Sequence, residues 1–483
     1  MATRSSQSAT GTSLTLGRAA SGAVPATAST NGTKPRTSFT VVGGGVSDGR
    51  RRMQIPWRQI SKQQLDSVCR ALVDRETDAP IRAIDFMDNQ LGPTAALKIA
   101  SCLESSPVTE VFICYNDIGK EGCDGLAGVV NLSHSLQVLD IRGNHLSASD
   151  VHRLLRSVSM STALMRLGLA SNKLGPEGAA LVSKALERNT YLSSLDLSVN
   201  ELGPSGAECI AGILRNPVSA LQVLQLHGNY LGPSGVSSIC DAVKANKELK
   251  RLTLGNNHAT DEAAGAIAAM LELNYTLEEL DIRLNTLTAG GVKLIAQQGL
   301  AKNTSLRVLS LSGNEVGPIG ANELTHVLSA HQRSVLEQLD LSSCGLTASG
   351  GVRIASLLST SISLKEVNLS DNALDDEAAV RLAQNITDGI AISVVDVSCN
   401  DIGEEGASQL IDAALRNAQL VALVTHGNNI SRVAQKKMDN LLEERLTKNR
   451  VLSRHTALYQ QQKLTQQQQH AARGAPAPSA TAA

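Results

Sequence analysis

The sequence has few aromatic residues: one Trp, five Tyr and three Phe among 483 residues. Hydrophobic residues nevertheless make up 42% of the chain, so its core must be built from Leu, Ile, Val and Ala. No stretch approaches the roughly 20 consecutive apolar residues that a membrane span needs. The N-terminus has no apolar run behind a basic start, which argues against a secretory signal.

Cysteine pairs and enzyme motifs are also missing. The eight cysteines are scattered without a C-x-x-C pair, which predicts free thiols in a reducing, cytoplasmic compartment. There is no P-loop, H-E-x-x-H or G-x-S-x-G motif, and the ten His residues show no metal-ligand spacing. We therefore expect no catalytic, cofactor-binding or metal-binding residues, and a protein that is not an enzyme.

Acidic residues are scarce at both ends of the chain. The formal net charge is −1, but residues 1–60 carry +7, residues 61–430 carry −14 and residues 431–483 carry +6. We call residues 61–430 the acidic body. Its charge disfavours specific nucleic-acid binding. The basic ends are expected to contact an acidic surface, either on a partner or on the body itself.

A repeat dominates the acidic body. The pattern L-x-L-x-x-N-x-L recurs thirteen times from Ile84, mostly at a 28-residue period. Alternating apolar positions predict a short strand with one buried face, and the amide at the marker position is expected to bond to neighbouring turns as a structural ladder. The markers are Asn89, Asn116, Asn144, Asn172, Asn200, Asn229, Asn257, Asn285, Asn314, Cys344, Asn372, Asn400 and Asn428.

A helix is predicted after each strand. The fullest copies continue as L-G-P-x-G, as in Leu174 to Gly178, where Pro favours a helix start. Apolar spacing of three and four follows, and Asn189 is expected to end that helix in a left-handed cap. Thirteen strand and helix units predict an α/β horseshoe solenoid with a parallel inner β-sheet and outer helices.

The repeat resembles the ribonuclease-inhibitor-like subclass of leucine-rich repeats, which also occurs in NOD-like receptors and in the Ran GTPase-activating protein. The resemblance covers residues 61–430 and rests on the form L-x-x-L-x-L-x-x-N-x-L-G-P-x-G-A-x-x-I-A-x-x-L. It implies a non-enzymatic scaffold that binds a protein partner on its concave face. It also implies a place in a larger cytoplasmic or cytoskeletal assembly, such as a cilium or flagellum.

A GTPase-activating regulator resembling the Ran GTPase-activating protein is the alternative function. That family adds a strongly acidic C-terminal segment to the repeats, whereas residues 431–483 are basic and rich in Gln. No motif places a catalytic residue for this activity.

Four segments follow from these patterns. Residues 1–58 are predicted as a disordered basic tail, for which a mitochondrial targeting segment and a polyanion-binding arm are alternative interpretations. Residues 59–430 form the repeat domain with an N-terminal helical cap, on which Trp57 is expected to pack. Residues 431–470 are predicted as a helical extension, and 471–483 as a disordered tail. The residues of this extension that are expected to cover the last repeat are Val433, Met438, Leu441, Leu442 and Leu446.

The candidate binding residues lie on or beside the predicted strands. Six of thirteen residues found four positions before a marker are Asp, which predicts an acidic row that docks a basic partner segment. The alternative is that these carboxylates only bond to neighbouring strands and Ser side chains. The candidates are Asp85, Phe112, Tyr115, Asp140, Arg142, Asp196, His227, Asp281, Arg283, Asp340, Asp396 and His426.

Overall fold

The computed structural model describes residues 40–43, 51–55, 60–73, 80–331 and 333–438, all within the unit Ser38–Ala483. One sheet of fifteen strands runs through these residues in chain order. Strands β1 and β2 are antiparallel, and β2 to β15 are all parallel. The strands are β1 Thr40–Gly43, β2 Arg51–Gln54, β3 Ile81–Asp85, β4 Glu110–Phe112, β5 Val138–Asp140, β6 Arg166–Gly168, β7 Ser194–Asp196, β8 Val223–Gln225, β9 Arg251–Thr253, β10 Glu279–Asp281, β11 Val308–Ser310, β12 Gln338–Asp340, β13 Glu366–Asn368, β14 Val394–Asp396 and β15 Ala422–Val424.

A helix follows each strand from β2 to β14. Residues 432–438 are also helical, and a 3-10 turn at Asp261–Ala263 precedes α8. Helix α9 continues as a π-helix over Ile295–Leu300. The helices are α1 Lys62–Val73, α2 Gly92–Leu103, α3 Gly119–Leu132, α4 Ala148–Met160, α5 Gly175–Leu186, α6 Gly203–Arg215, α7 Gly232–Val243, α8 Ala264–Leu273, α9 Ala289–Leu294, α10 Gly317–Ala330, α11 Thr347–Thr360, α12 Asp376–Asp388 and α13 Glu404–Arg416.

The core lies between the sheet and the helices. The middle residues of successive strands are paired in register, as in Leu139 with Leu167 and Leu280 with Leu309, and they are buried. Their neighbours in each strand point to the other side of the sheet, because side chains alternate along a strand. The predicted α/β solenoid of thirteen repeats, with a parallel sheet and flanking helices, is confirmed by β3 to β15 and their helices.

The N-terminal end of the sheet differs from the prediction. Strands β1 and β2 lie inside the segment 1–58 that the sequence analysis treats as a disordered tail. Met53 and Ile55 alternate as buried residues, and the Ile55 N–H donates to the Asp85 carbonyl at 3.1 Å. Two apolar residues at strand spacing therefore suffice to extend the sheet by one parallel strand. Trp57 lies outside the described residues.

The predicted cap helix is present as α1. Leu65, Val68, Cys69 and Leu72 are buried on one face, and Ile60 packs against the same core. At the other end, Met438 is buried but Val433 is 81% exposed, so the expectation that Val433 covers the last repeat is wrong. Ala434 and Met438, four residues apart, share the face that contacts the core, and Val433 lies outside that face. The rest of the predicted extension lies outside the described residues.

Candidate functional site

The parallel register brings the candidate residues into rows on the side of the sheet opposite the helices. The third residue of each triplet pairs with the third residue of the next, as in Asp85 with Phe112 and Phe112 with Asp140. We call this row, together with the residues two positions later, the strand face. Its first row is Asp85, Phe112, Asp140, Gly168, Asp196, Gln225, Thr253, Asp281, Ser310, Asp340, Asn368, Asp396 and Val424, and its second row is Met87, Cys114, Arg142, Ala170, Ser198, His227, Gly255, Arg283, Ser312, Ser342, Ser370, Ser398 and His426.

Every Asp of the first row makes the same local hydrogen bond. Its Oδ1 accepts from the backbone N–H two residues later at 2.9 to 3.2 Å, and Asn368 accepts from Ser370 in the same way. This bond closes the turn by which the chain leaves the strand. The amide of Asn368 can replace the carboxylate, so the bond requires an oxygen acceptor and not a negative charge.

Two of the six carboxylates are also bound by arginine. Arg142 Nε donates to both oxygens of Asp140, at 3.0 and 2.9 Å, and Asp140 is 6% exposed. Hydrogen bonding to Asp140 raises the pKa of the Arg142 guanidinium above its usual value. Arg283 Nε donates to Asp281 at 2.8 Å, so the charge at these two positions is internally compensated.

The carboxylates of β12 and β14 have hydroxyl partners instead. Ser342 Oγ donates to Asp340 at 2.8 Å and Ser398 Oγ donates to Asp396 at 2.6 Å, while Ser310 Oγ donates to the second Asp340 oxygen at 2.9 Å. Across the described part of the chain, no Lys or Arg nitrogen lies within 4.0 Å of either carboxylate. Near the C-terminal end of the strand face, the negative charges of Asp340 and Asp396 are therefore not compensated by a basic side chain of the described residues.

Aromatic side chains lie beside the N-terminal half of the strand face. Tyr115 is 47% exposed, whereas its neighbour Phe112 is partly buried. Tyr230 is 61% exposed, and its ring stacks on His258 with centroids 5.7 Å apart.

Two side chains of the same region pack over Gly255. A Cβ placed there would be 2.8 Å from Nδ1 of His227 and 2.9 Å from Cγ of Arg283, so these two side chains close over the glycine. Burial, and secondarily Arg283, lowers the pKa of His227. His426, in the last repeat, is exposed and far along the row from this group.

All markers except the partly buried Asn428 are buried, and they link consecutive repeats. The Asn229 N–H donates to Asn257 Oδ1 at 2.9 Å, and Asn257 Nδ2 donates to the Leu226 and Leu254 carbonyls, both at 2.9 Å. At the Cys344 position the thiol donates to the Leu311 carbonyl at 3.3 Å. Among the described residues, Asn200 Oδ1 is buried without a hydrogen-bond partner, so the bond between markers is missing at that position too.

A second asparagine series lies at the helix C-termini and was not predicted from the sequence. Asn189 is not among the residues with a positive φ, so the predicted left-handed cap at this residue is wrong. Its Nδ2 donates instead to the Val158 carbonyl of the preceding repeat at 2.8 Å, and its Oδ1 accepts from the Leu192 N–H at 2.9 Å. A side chain that bridges two repeats removes the need for a backbone cap. Equivalent bonds are made by Asn216, Asn246, Asn274, Asn303 and Asn417.

A row of side chains of alternating charge, just before the N-terminal ends of strands β9 to β13, was also not predicted. Lys250 contacts Glu278 at 3.5 Å, and Glu337 contacts both Arg307 at 3.0 Å and Lys365 at 2.8 Å. These residues stand seven positions before successive markers, so the repeat period would have revealed them. Because all are partly exposed, each pair contributes little to stability.

Membrane spans and metal clusters are absent from the described residues. Among the described residues, no helix combines the length and the apolar character needed to cross a bilayer. The same residues contain no group of three or more His, Cys, Asp and Glu side chains placed to hold a metal ion.

Comparison with known proteins identifies the repeat. A family model described as a leucine-rich repeat matches residues 188–211, 274–296, 302–324, 334–355, 360–383 and 392–410. The chain is 34% identical over 160 residues to a ribonuclease inhibitor of Sus scrofa, an alignment covering 33% of this chain and 34% of that protein. It therefore spans about a third of that relative's length.

Two other relatives are similar over shorter shares of their length. NACHT, LRR and PYD domains-containing protein 12 of Mus musculus is 34% identical over 159 residues, which cover 32% of this chain and 14% of that protein. RAN GTPase-activating protein 2 of Arabidopsis thaliana is 27% identical over 119 residues, or 24% of this chain and 22% of that protein. Together with the sheet topology, these similarities support a ribonuclease-inhibitor-like leucine-rich-repeat protein.

Proposed function

We propose that this protein is a non-enzymatic scaffold that binds a protein partner on its strand face. Leucine-rich repeats indicate a protein-interaction scaffold, and the observation that supports this surface is its division into two chemical halves. Beside the half that contains the partly buried His227, the rings of Tyr115 and Tyr230 are exposed, and aromatic side chains anchor interfaces. The half that contains Asp340 and Asp396 presents carboxylates without basic neighbours.

The partner's chemistry follows from that division. A segment rich in Lys or Arg fits beside Asp340 and Asp396, because their charge has no basic neighbour among the described residues. Asp140 and Asp281 attract such a segment less, since Arg142 and Arg283 already bind them. Charge complementarity of this kind sets orientation and association rate more than total affinity.

The proposed assembly is cytoplasmic, in keeping with the scattered, unpaired cysteines of the sequence. The cytoskeletal or flagellar location and any contact of the basic ends with an acidic surface stay predictions from the sequence. The similarity to a GTPase-activating protein covers 22% of that relative, and no described site supplies a reason to prefer GTPase activation.

The experiment that tests the proposal removes charge without removing the hydrogen bond. The double variant Asp340→Asn, Asp396→Asn keeps an oxygen acceptor, as Asn368 does naturally. We expect quantitative affinity purification to show loss of the partner that carries basic segments, with thermal stability unchanged. The matched control is Asp388→Asn at the exposed end of α12. An unchanged partner set for the double variant would assign these carboxylates a structural role only and contradict the proposal.

A further inference from the structure

A groove lies between helices α4 and α5, on the side of the sheet opposite the strand face. Its volume is about 530 Å³. Leu155 and Ala185 are buried at its base, and Leu181 is partly exposed beside them. Met160 is 62% exposed at its edge. An apolar base with an adaptable methionine at the rim is typical of surfaces that accept an apolar side chain of a partner.

The groove coincides with a change in the repeat. Helix α4 begins with a capping box formed by Ser147 and Asp150, whereas α5 begins with Gly and Pro. Neighbouring helices pack more closely where glycine allows it: a Cβ on Gly125 of α3 would lie 2.9 Å from Leu97 Cδ1 and 3.0 Å from Ala100 Cβ of α2. No glycine occurs in α4, so larger side chains line its contact with α5.

The rim of the groove is basic, although the body of the chain is acidic. Arg156, Lys184 and Arg188 line it and are exposed, and Glu187 is its one acidic lining residue. None of the three cations forms an ion pair with any residue that the structure describes. Their charge is therefore available to a partner, and its sign is opposite to that of residues 61–430, which carry −14.

We propose that this groove is a second docking site, and that its occupant is an acidic amphipathic segment of a protein partner. The apolar base takes Leu-like side chains at helical spacing, and the three cations pair with flanking carboxylates. The chain's own ends have the wrong charge for this site, since residues 1–60 carry +7 and 431–483 carry +6. A nucleic acid would gain nothing from the apolar base and would meet the acidic body.

Fluorescence anisotropy with a defined probe tests the site. The probe is a labelled 14-residue peptide with Leu at helical spacing and Glu elsewhere, added to the full chain. We expect saturable binding with a Kd below about 1 mM. Arg156→Glu combined with Arg188→Glu should weaken it about tenfold or more, because two rim charges become repulsive. The matched control, Arg353→Glu with Arg381→Glu on α11 and α12, should stay within about twofold of the parent.

Two further measurements distinguish binding in this groove from nonspecific electrostatic attraction. A peptide with Ser in place of every Leu should bind at least about fivefold more weakly, because the apolar base then loses its contacts. A single-stranded oligonucleotide of equal charge should also bind more weakly than the probe. The proposal is overturned by absence of saturable probe binding, by equal effects of the two double variants, or by oligonucleotide binding as tight as that of the peptide. None of these outcomes depends on the strand face, so the proposed function is tested separately.

Discussion

The ring of Tyr115 lies against the backbone of Gly143 in the next repeat, so that a Cβ on Gly143 would be 2.2 Å from Cδ1 of Tyr115. Gly143 also has a φ of +69°, in the left-handed region. The same arrangement recurs along the sheet, where an exposed residue at a left-handed turn packs over an equivalent glycine. The other pairs are Val199 with Gly228, Leu284 with Gly313 and Cys399 with Gly427.

Replacing Gly143 with Ala should therefore destabilise the protein by about 2–3 kcal/mol, the sum of left-handed strain and a steric clash with Tyr115. The control is Gly175→Ala, because Gly175 has a φ of +59° but nothing within 4 Å of an added Cβ. It should cost only the conformational part, about 1 kcal/mol. Chemical denaturation measures the loss of stability in both variants. Equal losses would show that the ring of Tyr115 moves aside without a cost in free energy.

Restoring asparagine at position 344 should stabilise the ladder. Cys344 is buried. The equivalent position in each of the twelve remaining repeats holds an Asn, whose side chain accepts and donates hydrogen bonds, as at Asn372. Cys344→Asn should raise the free energy of unfolding by about 1 kcal/mol, the typical net value of an added hydrogen bond. Cys344→Ala removes the bond to the Leu311 carbonyl and should lower it. A lower melting temperature for Cys344→Asn would contradict the ladder as a source of stability.

Cysteine reactivity should follow burial. Burial raises the pKa of the Cys114, Cys240 and Cys344 thiols to about 12, whereas Cys399 is exposed. Because the thiolate is the reactive form, iodoacetamide at pH 8 should label Cys399 well before those three. Peptide mass spectrometry over a time course measures the order. Comparable rates for Cys240 and Cys399 in the native protein would be inconsistent with this packing.

The stability of the chain should depend on the protonation of His227. Burial first, and Arg283 second, lowers the pKa of its imidazole below the ordinary value of 6.5. A proton therefore binds the unfolded state more tightly than the folded state. The contribution of neutral His227 is complete above about pH 6.5 and is lost as the pH falls through the folded-state pKa. Histidine NMR titration should place this pKa below 6.5 and show it rise in Arg283→Gln; a value above 6.5 in the parent would refute the burial.

The repeat made most of the fold predictable from sequence. Period, alternation and the L-G-P-x-G start fixed β3 to β15 and their helices, because each unit repeats the same local chemistry. Strand β2 was missed because its signal is only Met53 and Ile55 in a basic segment. Asn189 was misread because a bridge to the Val158 carbonyl depends on how repeats stack, which local propensity does not show.

The positions of the candidate residues in rows could be predicted from the repeat, but the electrostatic partners of these residues could not. Sequence spacing put Asp140 and Asp340 in one acidic row, and the register pairs them with their neighbours as expected. It could not show that Arg142 folds back on Asp140 while Asp340 bonds to Ser342, because both partners lie two positions away. The groove between α4 and α5 is invisible in sequence, since it depends on the distance between two helices.

Site-specific photo-crosslinking in cells tests the central claim, that the strand face binds a protein partner. A photoreactive residue replaces Gln225, which is partly exposed in the first row of the strand face, or Arg353, which is exposed on α11 on the helix side. We expect one dominant crosslinked protein from position 225 that is absent from position 353. A partner captured only from position 353, or equally from both, would contradict it.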